Sequence, residues 1–439
     1  MNVIHSVAWY FSESTGGTEV YVSGLVHELA ALGVTSTIAA ANDRAQSRDY
    51  ICDGVAVHRY PYADAADLAA TRGERPHRCF DAFVAWLEQQ PLGIYHQHSW
   101  TTSCGLHHIS VAKSLGFKTV LTVHVPGNIC LRGTMMEFGR DPCDGHVEAG
   151  RCAACWSQGR GLPRSAARIL SRMPDAVSRA ALRSGVAGRF LTALGARELA
   201  GARRRQIAAM ADAADRIVAV CGWLADALRS NGVADGKVVL SRQGVGRGFL
   251  GRPAAERHGG DKFRFGFLGR CDPVKGLHVL LDAMQKVPRD LDFDLVIHAV
   301  ANGEHERRIR DRLIAKSAGD PRIRFMSPVA QAELPEVLAG FDMLAVPSQW
   351  QETGPLVVLE AQALGVPVLG SDLGGIGELV SPGIDGQLVP FSDPVAWAHA
   401  ICEAVAGTLP CLAKRRTPRA VRTMADVAQD MAALYAGVT

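Results

Sequence analysis

Residues 346–361 read VPSQWQETGPLVVLEA, the end of the apolar run Met343–Val346 followed by a polar loop and a second apolar run. The first run predicts a strand that ends at Pro347, and Glu352 follows it in the loop. Pro355 suits the first turn of a helix, because it has no backbone N–H to lose there. Glu360 falls inside that helix among apolar residues, where an unpaired carboxylate is costly. We therefore expect Glu360 to bind either a vicinal diol such as a ribose or an arginine of the core.

The rest of the chain repeats this alternation of short apolar runs with helix-length amphipathic segments. The rhythm predicts an α/β fold with mostly parallel sheets covered by helices on both faces. At 439 residues the chain is too long for one ordinary domain. We predict an N-terminal domain over 1–245 with a Cys- and Arg-rich insertion at about 125–210. A linker over 246–261, a second domain over 262–420 and a C-terminal helix in 421–439, packed back toward the first domain, complete the prediction.

The second domain opens with GRCDPVKG at 269–276, directly after the predicted strand Phe263–Leu268. In open α/β sheets ligands bind at the carboxyl ends of strands, and two such domains would naturally face each other across a cleft. Arg270 and Lys275 would then stand beside a helix N-terminus, with glycines that permit close approach. The pattern predicts a diphosphate-binding site, and the alternative is a solvated strand-to-helix loop.

In their order along the chain, these motifs resemble those of the retaining GT-B glycosyltransferases of glycosyltransferase family 4, the group 1 glycosyl transferases. The resemblance covers the C-terminal half and reappears in the first half. It rests on Gly16-Gly17-Thr18-Glu19, Thr122-Val123-His124, Gly269–Gly276, Pro347-Ser348, Glu352 with Glu360-Ala361, Gly365-Val366-Pro367-Val368 and Gly374-Gly375-Ile376-Gly377-Glu378. It implies two Rossmann-like, doubly wound domains that face a central cleft.

By this resemblance each matching residue has an expected role. Arg270 and Lys275 would neutralise the donor diphosphate in place of a metal, so that catalysis requires no cofactor. Glu360 would hold the ribose hydroxyls, while Glu352 and His124 would contact the transferred sugar. The remaining donor-binding residues would let the backbone approach the diphosphate and the sugar: Gly16, Gly17, Gly354, Leu356 and Val357.

The resemblance implies a retaining, metal-independent hexosyltransferase. A hexose would move from a UDP- or GDP-linked donor to a glycan or lipid-linked acceptor, in the biosynthesis of a surface polysaccharide. Such a reaction needs no enzymic nucleophile, because the leaving phosphate would accept the proton of the acceptor. Two alternatives stay open: an epimerase or phosphorylase on the same fold, and a non-catalytic scaffold.

Charge and hydropathy restrict the partners and the compartment. The formal net charge of +3 is too small to argue for nucleic acid, and we expect no nucleic-acid partner. Within 160–205, however, eleven Arg against two acids give a net charge of +9. Arg164, Arg168 and Arg172 recur every fourth residue, which predicts one helix face that is either solvated or bound to an anionic membrane or a lipid diphosphate. Without a recognisable signal peptide or long apolar run, we expect a cytoplasmic protein, peripheral on the cytoplasmic face of the membrane if this segment binds lipid.

Four cysteines lie close together in the chain, at Cys130, Cys143, Cys152 and Cys155. In a reducing compartment their terminal C-x2-C favours zinc or free thiols over disulfides, and the choice between zinc and thiols stays open. Any zinc would be structural, because four cysteines leave no open position for a substrate.

Two further patterns resemble metal sites. His96-Gln97-His98 places two imidazoles on one face of a strand, and we favour a substrate-lining or structural role over a metal. Asp292-Phe293-Asp294 resembles the metal-binding Asp-x-Asp of another transferase class. It starts a strand rather than ending one, so we interpret it as a solvated edge.

Overall fold

The computed structural model describes residues 1–14, 16–63, 68–183, 189–252, 262–413 and 420–438. These residues form two compact units, one of Met1–Arg242 with Met424–Thr439 and one of Gln243–Thr423. Residues 253–261 of the predicted linker lie outside the described residues.

The first unit is built on parallel strands. In chain order its strands are β1 (Asn2–Val7), β2 (Thr35–Asn42), β3 (Arg48–Cys52), β4 (Val55–Pro61), β5 (Ile94–Gln97), β6 (Lys118–Val123), β7 (Met136–Glu137), β8 (Asp141–Pro142), β9 (Arg216–Ala219) and β10 (Val238–Leu240). In the described chain, eight of them form one sheet in the order β10-β9-β6-β5-β1-β2-β4-β3, and β7 pairs with β8 separately. Neighbours in the large sheet are parallel except for β3 on β4.

Helices connect these strands. They are α1 (Gly17–Ala31), α2 (Leu68–Thr71), α3 (Phe80–Leu87), α4 (Leu106–Ser114), α5 (Ala149–Gly159), α6 (Arg164–Leu170), α7 (Asp175–Arg183), α8 (Arg189–Leu194), α9 (Ala196–Ala213) and α10 (Gly222–Ser230). The predicted insertion carries β7, β8 and the helices from α5 to α9, between β6 and β9. Because α6 ends at Leu170, Arg172 lies in the following turn, and the predicted shared helix face holds only for Arg164 and Arg168.

Both faces of the first sheet are buried, as expected for parallel strands covered by helices. On β6, Val120 packs on one side with Leu25 of α1, whereas Leu121 packs on the other side with Phe83 of α3 and Ile109 of α4. Alternation of side chains along a strand accounts for the two cores.

The second unit is a six-stranded, fully parallel sheet in the described residues. Its strands are β11 (Phe263–Arg270), β12 (Phe293–Val300), β13 (Ile323–Phe325), β14 (Met343–Val346), β15 (Val368–Ser371) and β16 (Gly386–Val389), ordered β13-β12-β11-β14-β15-β16. The helices are α11 (Leu277–Met284), α12 (Glu304–Ser317), α13 (Leu334–Ala339), α14 (Leu356–Ala363), α15 (Gly374–Leu379), α16 (Pro394–Val405) and α17 (Pro410–Ala413).

Two boundaries differ from the sequence prediction. Strand β11 continues to Arg270, which pairs with Val300 of β12, so Arg270 ends a strand instead of lying in the loop. Helix α14 begins at Leu356, and Pro355 precedes it as the extended N-cap residue. Both shifts are small because they concern only the residues at which a strand or helix ends.

The chain ends in α18 (Met424–Ala436), which belongs to the first unit. Its Val427, Met431 and Tyr435 are buried in the same core as Val22 and Leu25 of α1. The first unit is therefore completed by both ends of the chain.

One helical segment, Pro394–Leu412, is long and apolar enough to cross a membrane by length and composition. It contains α16, whose Trp397, Ile401 and Ala404 are buried in the core of the second unit. This packing explains the apolar composition of the segment without a membrane.

Candidate active site

In the second unit, β11 and β14 are parallel neighbours, so the loops that follow them emerge at the same edge of the sheet. Lys275 follows β11 and Glu352 follows β14. Their side chains meet there: Nζ of Lys275 lies 2.6 Å from Oε1 of Glu352. The structure thus brings together two of the predicted site residues that stand 77 positions apart in the chain.

Glu352 is held from more than one side. The Ser348 hydroxyl donates to Oε1 of Glu352 at 2.8 Å, and Lys275 Nζ stands 5.5 Å from the centre of the Trp350 ring. Glu352 is only 5% exposed, and a buried carboxylate is costly without polar partners such as these. Sequence reasoning quoted Ser348 as part of a motif but assigned it no function.

The loops that carry these residues pack at backbone distance. A Cβ on Gly276 would lie 1.7 Å from the carbonyl oxygen of Pro347, and Gly276 has a φ of +73°, which favours glycine. A Cβ on Gly375 would lie 2.6 Å from the Gly354 nitrogen. The backbone N–H of Gly375 also donates to the Glu352 carbonyl oxygen at 2.6 Å. Only glycine fits at these two contacts, which therefore fix the position of the loop bearing Glu352.

Glu360 lies on α14 and is 6% exposed. Burial raises the pKa of its carboxyl group to about 7. Among the described residues it makes no ion pair, so the arginine of the core that the sequence left open as its partner is not present there. A buried carboxyl group with this pKa can exchange hydrogen bonds with hydroxyl groups of a ligand.

Arg270 is half-exposed at the end of β11. Its guanidinium nitrogens lie 3.9 Å from an Asp272 oxygen and 3.8 Å from a Glu306 oxygen. At those separations neither acid makes a close ion pair with it, and the cation remains accessible to an anionic ligand.

The first turn of α14 supplies backbone groups. Leu356 and Val357 are its first residues, and their N–H groups have no partner within the helix. Pro355 contributes no N–H, and Gly354 before it has a φ of +120°. The two N–H groups at this helix start can bind a negatively charged group.

In the first unit, α1 begins at Gly17, with Gly16 as its extended N-cap residue. A Cβ on Gly17 would meet nothing within 4 Å, whereas one on Gly16 would lie 2.7 Å from Oε2 of Glu19. That carboxylate accepts a hydrogen bond from the Ser14 hydroxyl at 2.6 Å. The space beside Gly17 is open to a ligand, and the predicted roles of both glycines stay predictions.

His124 follows β6 and is the last member of a buried chain of imidazoles. Its Nε2 lies 3.3 Å from Nδ1 of His98, and Nε2 of His98 lies 3.1 Å from Nδ1 of His5. The chain ends at the Ser36 hydroxyl, 3.3 Å from Nε2 of His5. His96 stands beside it, bonded to the Tyr435 hydroxyl at 2.6 Å and to the Thr122 hydroxyl at 2.7 Å.

These histidines are neutral, because burial lowers the pKa of His5 and of His124 to about 3. His5, His96 and His98 each offer a ring nitrogen within 4.8 Å of the others, a spacing that a metal could use. Every ring nitrogen of these three residues, however, already has a hydrogen-bond partner. The geometry is that of a hydrogen-bonded network, in agreement with a structural role for His96 and His98. The link to His5 and to Tyr435 was missed, since neither carries a local signal.

The four cysteines of the insertion are unbridged thiols in the structure. Four sulfurs that share one zinc, each about 2.3 Å from it, must all lie within about 4.6 Å of one another. Among the described residues the cysteines form no such group of three or more. Cys130 and Cys152 pack against the large core of the first unit, and Cys155 is buried beside Phe138. A structural zinc stays a prediction, and it would require the sulfurs to come closer.

Asp292 and Asp294 flank the start of β12, as predicted. Asp292 is an exposed partner of Lys262 at 2.7 Å, but Asp294 is buried and lies 3.2 Å from an Arg324 nitrogen. The edge is therefore ion-paired and only partly solvated.

Comparison with known proteins matches both units to family models. Residues 16–242 match the model described as glycosyl transferase 4-like domain. Residues 262–406 match the model described as glycosyl transferases group 1.

Among curated proteins, the chain is similar to D-inositol 3-phosphate glycosyltransferases. It is 38% identical to the protein of Corynebacterium glutamicum (strain R) over 139 residues, which is 31% of this chain and 33% of the relative. It is 34% identical to that of Mycobacterium sp. (strain KMS) over 138 residues, 31% of this chain and 30% of the relative. The chain thus spans about a third of the length of the curated relatives it matches.

Solved structures resemble the chain over its full length. Sucrose-phosphate synthase from Thermosynechococcus elongatus matches with a TM-score of 0.65 at 20% identity. The match covers 100% of this chain and 98% of the synthase chain. Anabaena HepE in complex with UDP and glucose has a TM-score of 0.62 at 14% identity and covers 99% of each chain. At these identities the likeness concerns the fold, and it confirms the predicted GT-B fold class with two Rossmann-like domains.

Proposed function

The chain belongs to the glycosyl transferase 4-like family, whose model matches more than half of it, and we propose that it transfers a hexose from a nucleotide-diphosphate sugar with retention of configuration. The observation that carries this proposal is the pair of Lys275 and Glu352 at the carboxyl ends of neighbouring strands, with Glu360 on the helix that follows. One side chain of this group is a cation for a diphosphate, and the other two are hydrogen-bonding carboxyl groups for sugar hydroxyls.

The chemistry follows from the charges. The bond between the anomeric carbon and the diphosphate oxygen breaks, and a bond from the acceptor hydroxyl to that carbon forms on the same face. The acceptor proton passes to the leaving diphosphate oxygen. Lys275 and the half-exposed Arg270 stabilise the negative charge that develops on the diphosphate, with no metal or other cofactor.

Binding of the donor would rearrange the site. Lys275 is paired with Glu352, so the diphosphate would replace a carboxylate as the partner of its ammonium group. Glu352 would keep the Ser348 hydroxyl and gain hydroxyls of the transferred sugar. Glu360 would bind the ribose, whose hydroxyls can donate to the carboxylate and accept from the carboxylic acid.

UDP is the first nucleotide to test and GDP the second. Anabaena HepE holds UDP and glucose in the structure that this chain resembles. That likeness concerns the fold, so it sets the order of the tests and leaves the nucleotide itself to the measurement.

We place the reaction in the cytoplasm, with a glycan or lipid-linked acceptor of a surface polysaccharide. The insertion supports a peripheral contact with the cytoplasmic face of an anionic membrane. Ile169 and Phe190 are 65% and 70% exposed there. The guanidinium groups of Arg164 and Arg168 lie 4.2 Å and 5.6 Å from the centre of the Phe138 ring and form no ion pairs within the described residues. Exposed apolar residues beside arginines are typical of surfaces that bind anionic lipid.

The decisive experiment is a thermal-shift series with UDP, GDP and ADP, because a ligand that binds only the folded protein raises its melting temperature. We expect one of them to do so, and Lys275→Ala to abolish both this response and transfer. A protein that responds to none of these nucleotides would disprove the proposed donor site. The matched control is Lys316→Ala, which removes a partly exposed lysine paired with Asp282 on the same unit.

Membrane contact has its own test. Co-sedimentation with vesicles that contain an anionic phospholipid should fall when Ile169 and Phe190 are replaced by Ser. Vesicles of neutral phosphatidylcholine serve as the control surface. Equal binding to both kinds of vesicle, or to neither, would refute the membrane contact and leave the donor site unaffected.

A further inference from the structure

We propose that His98 and His5 are positioning residues that fix the ring orientation and the proton of His124, whose expected role is a contact with the transferred sugar. The inference deepens the proposed function and so rests on it. The three imidazoles form one line of hydrogen bonds in the first unit. Nδ1 of His5 lies 3.1 Å from Nε2 of His98, and Nδ1 of His98 lies 3.3 Å from Nε2 of His124. The Ser36 hydroxyl extends this line beyond Nε2 of His5.

The sheet of the first unit places these four residues in line. Strands β2, β1, β5 and β6 are consecutive neighbours, and the four residues lie on or directly after them: Ser36, His5, His98 and His124. By the register of the strands, each step from Ser36 toward His124 crosses one strand and advances two residues. Residues two positions apart point to the same face of a sheet. The line therefore runs diagonally over one face, toward the carboxyl ends of the strands.

All three imidazoles are buried and neutral. Burial lowers the pKa of His5 and of His124 to about 3. Burial, and after it the neighbouring imidazoles, holds the pKa of His98 well below its usual value. A neutral imidazole has one N–H and one bare nitrogen, so it donates at one nitrogen and accepts at the other. Each bond between two rings therefore needs a single proton between its two nitrogens.

This requirement couples the tautomers of the three rings. If His98 carries its proton on Nδ1, it donates to His124 and accepts from His5, and all three rings carry the proton on Nδ1. If His98 carries its proton on Nε2, all three rings carry it on Nε2, and His5 donates to the Ser36 hydroxyl. The proton of one imidazole nitrogen is set by the bond that the other nitrogen makes. His98, and His5 through it, thus determine which nitrogen of His124 is protonated.

The orientation of the His124 ring is fixed by packing as well. Tyr21 of α1 contacts it edge-on, with ring centres 4.7 Å apart, and the His98 ring lies 5.6 Å away at an angle of 29°. A half-turn of the His124 ring would place a carbon atom opposite Nδ1 of His98 and break the bond between them. A group whose orientation and proton are settled beforehand needs no rearrangement when charge develops in the reaction.

His96 provides the comparison that separates positioning from simple support of the fold. It is buried like His98, and the two ring centres lie 3.9 Å apart. Its nitrogens, however, bond to the hydroxyls of Tyr435 and Thr122. A hydroxyl can donate or accept, so these bonds do not tie His96 to the tautomers of the other three rings.

The first measurement is NMR of the full chain with histidine labelled with nitrogen-15, because a protonated ring nitrogen and a bare one have well-separated chemical shifts. Single replacements of the histidines assign the signals. We expect His5, His98 and His124 to carry their protons on the same nitrogen, either Nδ1 in all three or Nε2 in all three. Different tautomers among the three would overturn the proposal. This result on the wild type decides the matter even if variants fail to fold.

The variants are His98→Gln and His98→Asn. The amide of Gln reaches the place of Nε2 and keeps a partner for His5, whereas the amide of Asn reaches the place of Nδ1 and keeps a partner for His124. His98→Gln should leave His124 with mixed tautomers and lower kcat about tenfold with little change in KM, as expected when one hydrogen bond to a reacting group is lost. His98→Asn should recover part of kcat, because it restores the ring orientation without the proton from His5.

The activity probe is the release of UDP from UDP-glucose, with water as the acceptor of glucose and the proton passing to UDP. His96→Gln is the matched control, since it removes an equally buried imidazole beside the line. It should lower the melting temperature and leave the tautomer of His124 and kcat unchanged.

The outcomes separate this inference from the proposed function. If UDP is released but His98→Gln changes kcat and the tautomer of His124 no more than His96→Gln does, the positioning role is wrong and the proposed function stands. If the three rings share one tautomer that His98→Gln disturbs, while no nucleotide raises the melting temperature, control of His124 by His98 is upheld and the proposed function falls.

Discussion

Replacing Glu360 by glutamine should stabilise the second unit at alkaline pH while weakening nucleotide binding. Burial raises the pKa of this carboxyl group from its usual 4.5 to about 7. Between those two pH values the unfolded chain has released the proton and the folded chain has kept it. The free energy of unfolding therefore falls by about 1.4 kcal/mol for each pH unit in that window, and by about 3 kcal/mol in total once the pH exceeds 7.

Glutamine at this position does not titrate and keeps the shape of the side chain. The difference in free energy of unfolding between Glu360→Gln and wild type should be near zero at pH 4.5 and about 3 kcal/mol in favour of the variant at pH 8. Urea unfolding at a series of pH values, followed by pulsed hydrogen exchange in β14 and β15, measures this difference for the second unit alone. The affinity for UDP should fall about tenfold or more, since the ribose would lose a hydrogen bond to a charged carboxylate of the protein.

The control is Glu336→Gln, which changes an exposed carboxylate on α13 of the same unit. It should leave the pH dependence unchanged. A stability difference for Glu360→Gln that is the same at pH 5 as at pH 8 would refute the reasoning. So would tighter binding of UDP, because the carboxyl group would then oppose the ligand.

Further predictions concern both units. Gly276→Ala should destabilise the second unit by more than about 2 kcal/mol, measured by urea unfolding, because the added Cβ meets the Pro347 carbonyl oxygen at 1.7 Å and φ is +73°. Lys275→Ala should lower the melting temperature as well as abolish transfer. The buried Glu352 would keep its hydrogen bond from the Ser348 hydroxyl but lose its ion pair with Lys275. The first unit should lose stability as the pH falls from 6.5 toward 4 in calorimetry, because the unfolded chain takes up protons at histidines whose folded pKa is about 3. Metal analysis of the purified chain should find one zinc if the four cysteines close around a metal, with the melting temperature lowered by chelation.

Three of these predictions have a control or a contradicting outcome. Gly303→Ala adds a Cβ that meets nothing within 4 Å, so it should change the stability of the second unit little. If it destabilises as much as Gly276→Ala, close approach is not the cause. A melting temperature of the first unit that stays constant between pH 6.5 and 4 would contradict the neutral, buried state of His5 and His124. A metal-free protein whose stability does not respond to added zinc would leave the cysteines as thiols.

Much of the architecture could be predicted, because hydrophobic periodicity marks strands and helices locally. The positions of Lys275 and Glu352 followed from the same logic, since residues that succeed parallel strands meet at one edge of the sheet. Element ends were less certain: β11 continues to Arg270 because its last residues still pair with β12, a contact with a strand that lies further along the chain.

Contacts across long sequence separations could not be predicted in this way. The bond between His96 and Tyr435 joins residues 339 positions apart, and the one between His98 and His5 joins residues 93 apart. Their identity depends on which strands and helices become neighbours, and no local pattern encodes that. The same holds for Arg203, one of eleven arginines in the basic segment, which the fold brings to the carbonyl oxygen of Gly127.

The return of α18 to the first unit bears on the order in which the chain folds during synthesis. The second unit is continuous from Gln243 to Thr423, so all its residues leave the ribosome before α18 does. Until Met431 and Tyr435 emerge, the apolar side of α1 and the β-sheet beneath it are not covered by the residues of α18. We expect the second unit to reach its final structure first, and the nascent first unit to expose apolar surface until Met431 and Tyr435 have emerged and packed against α1.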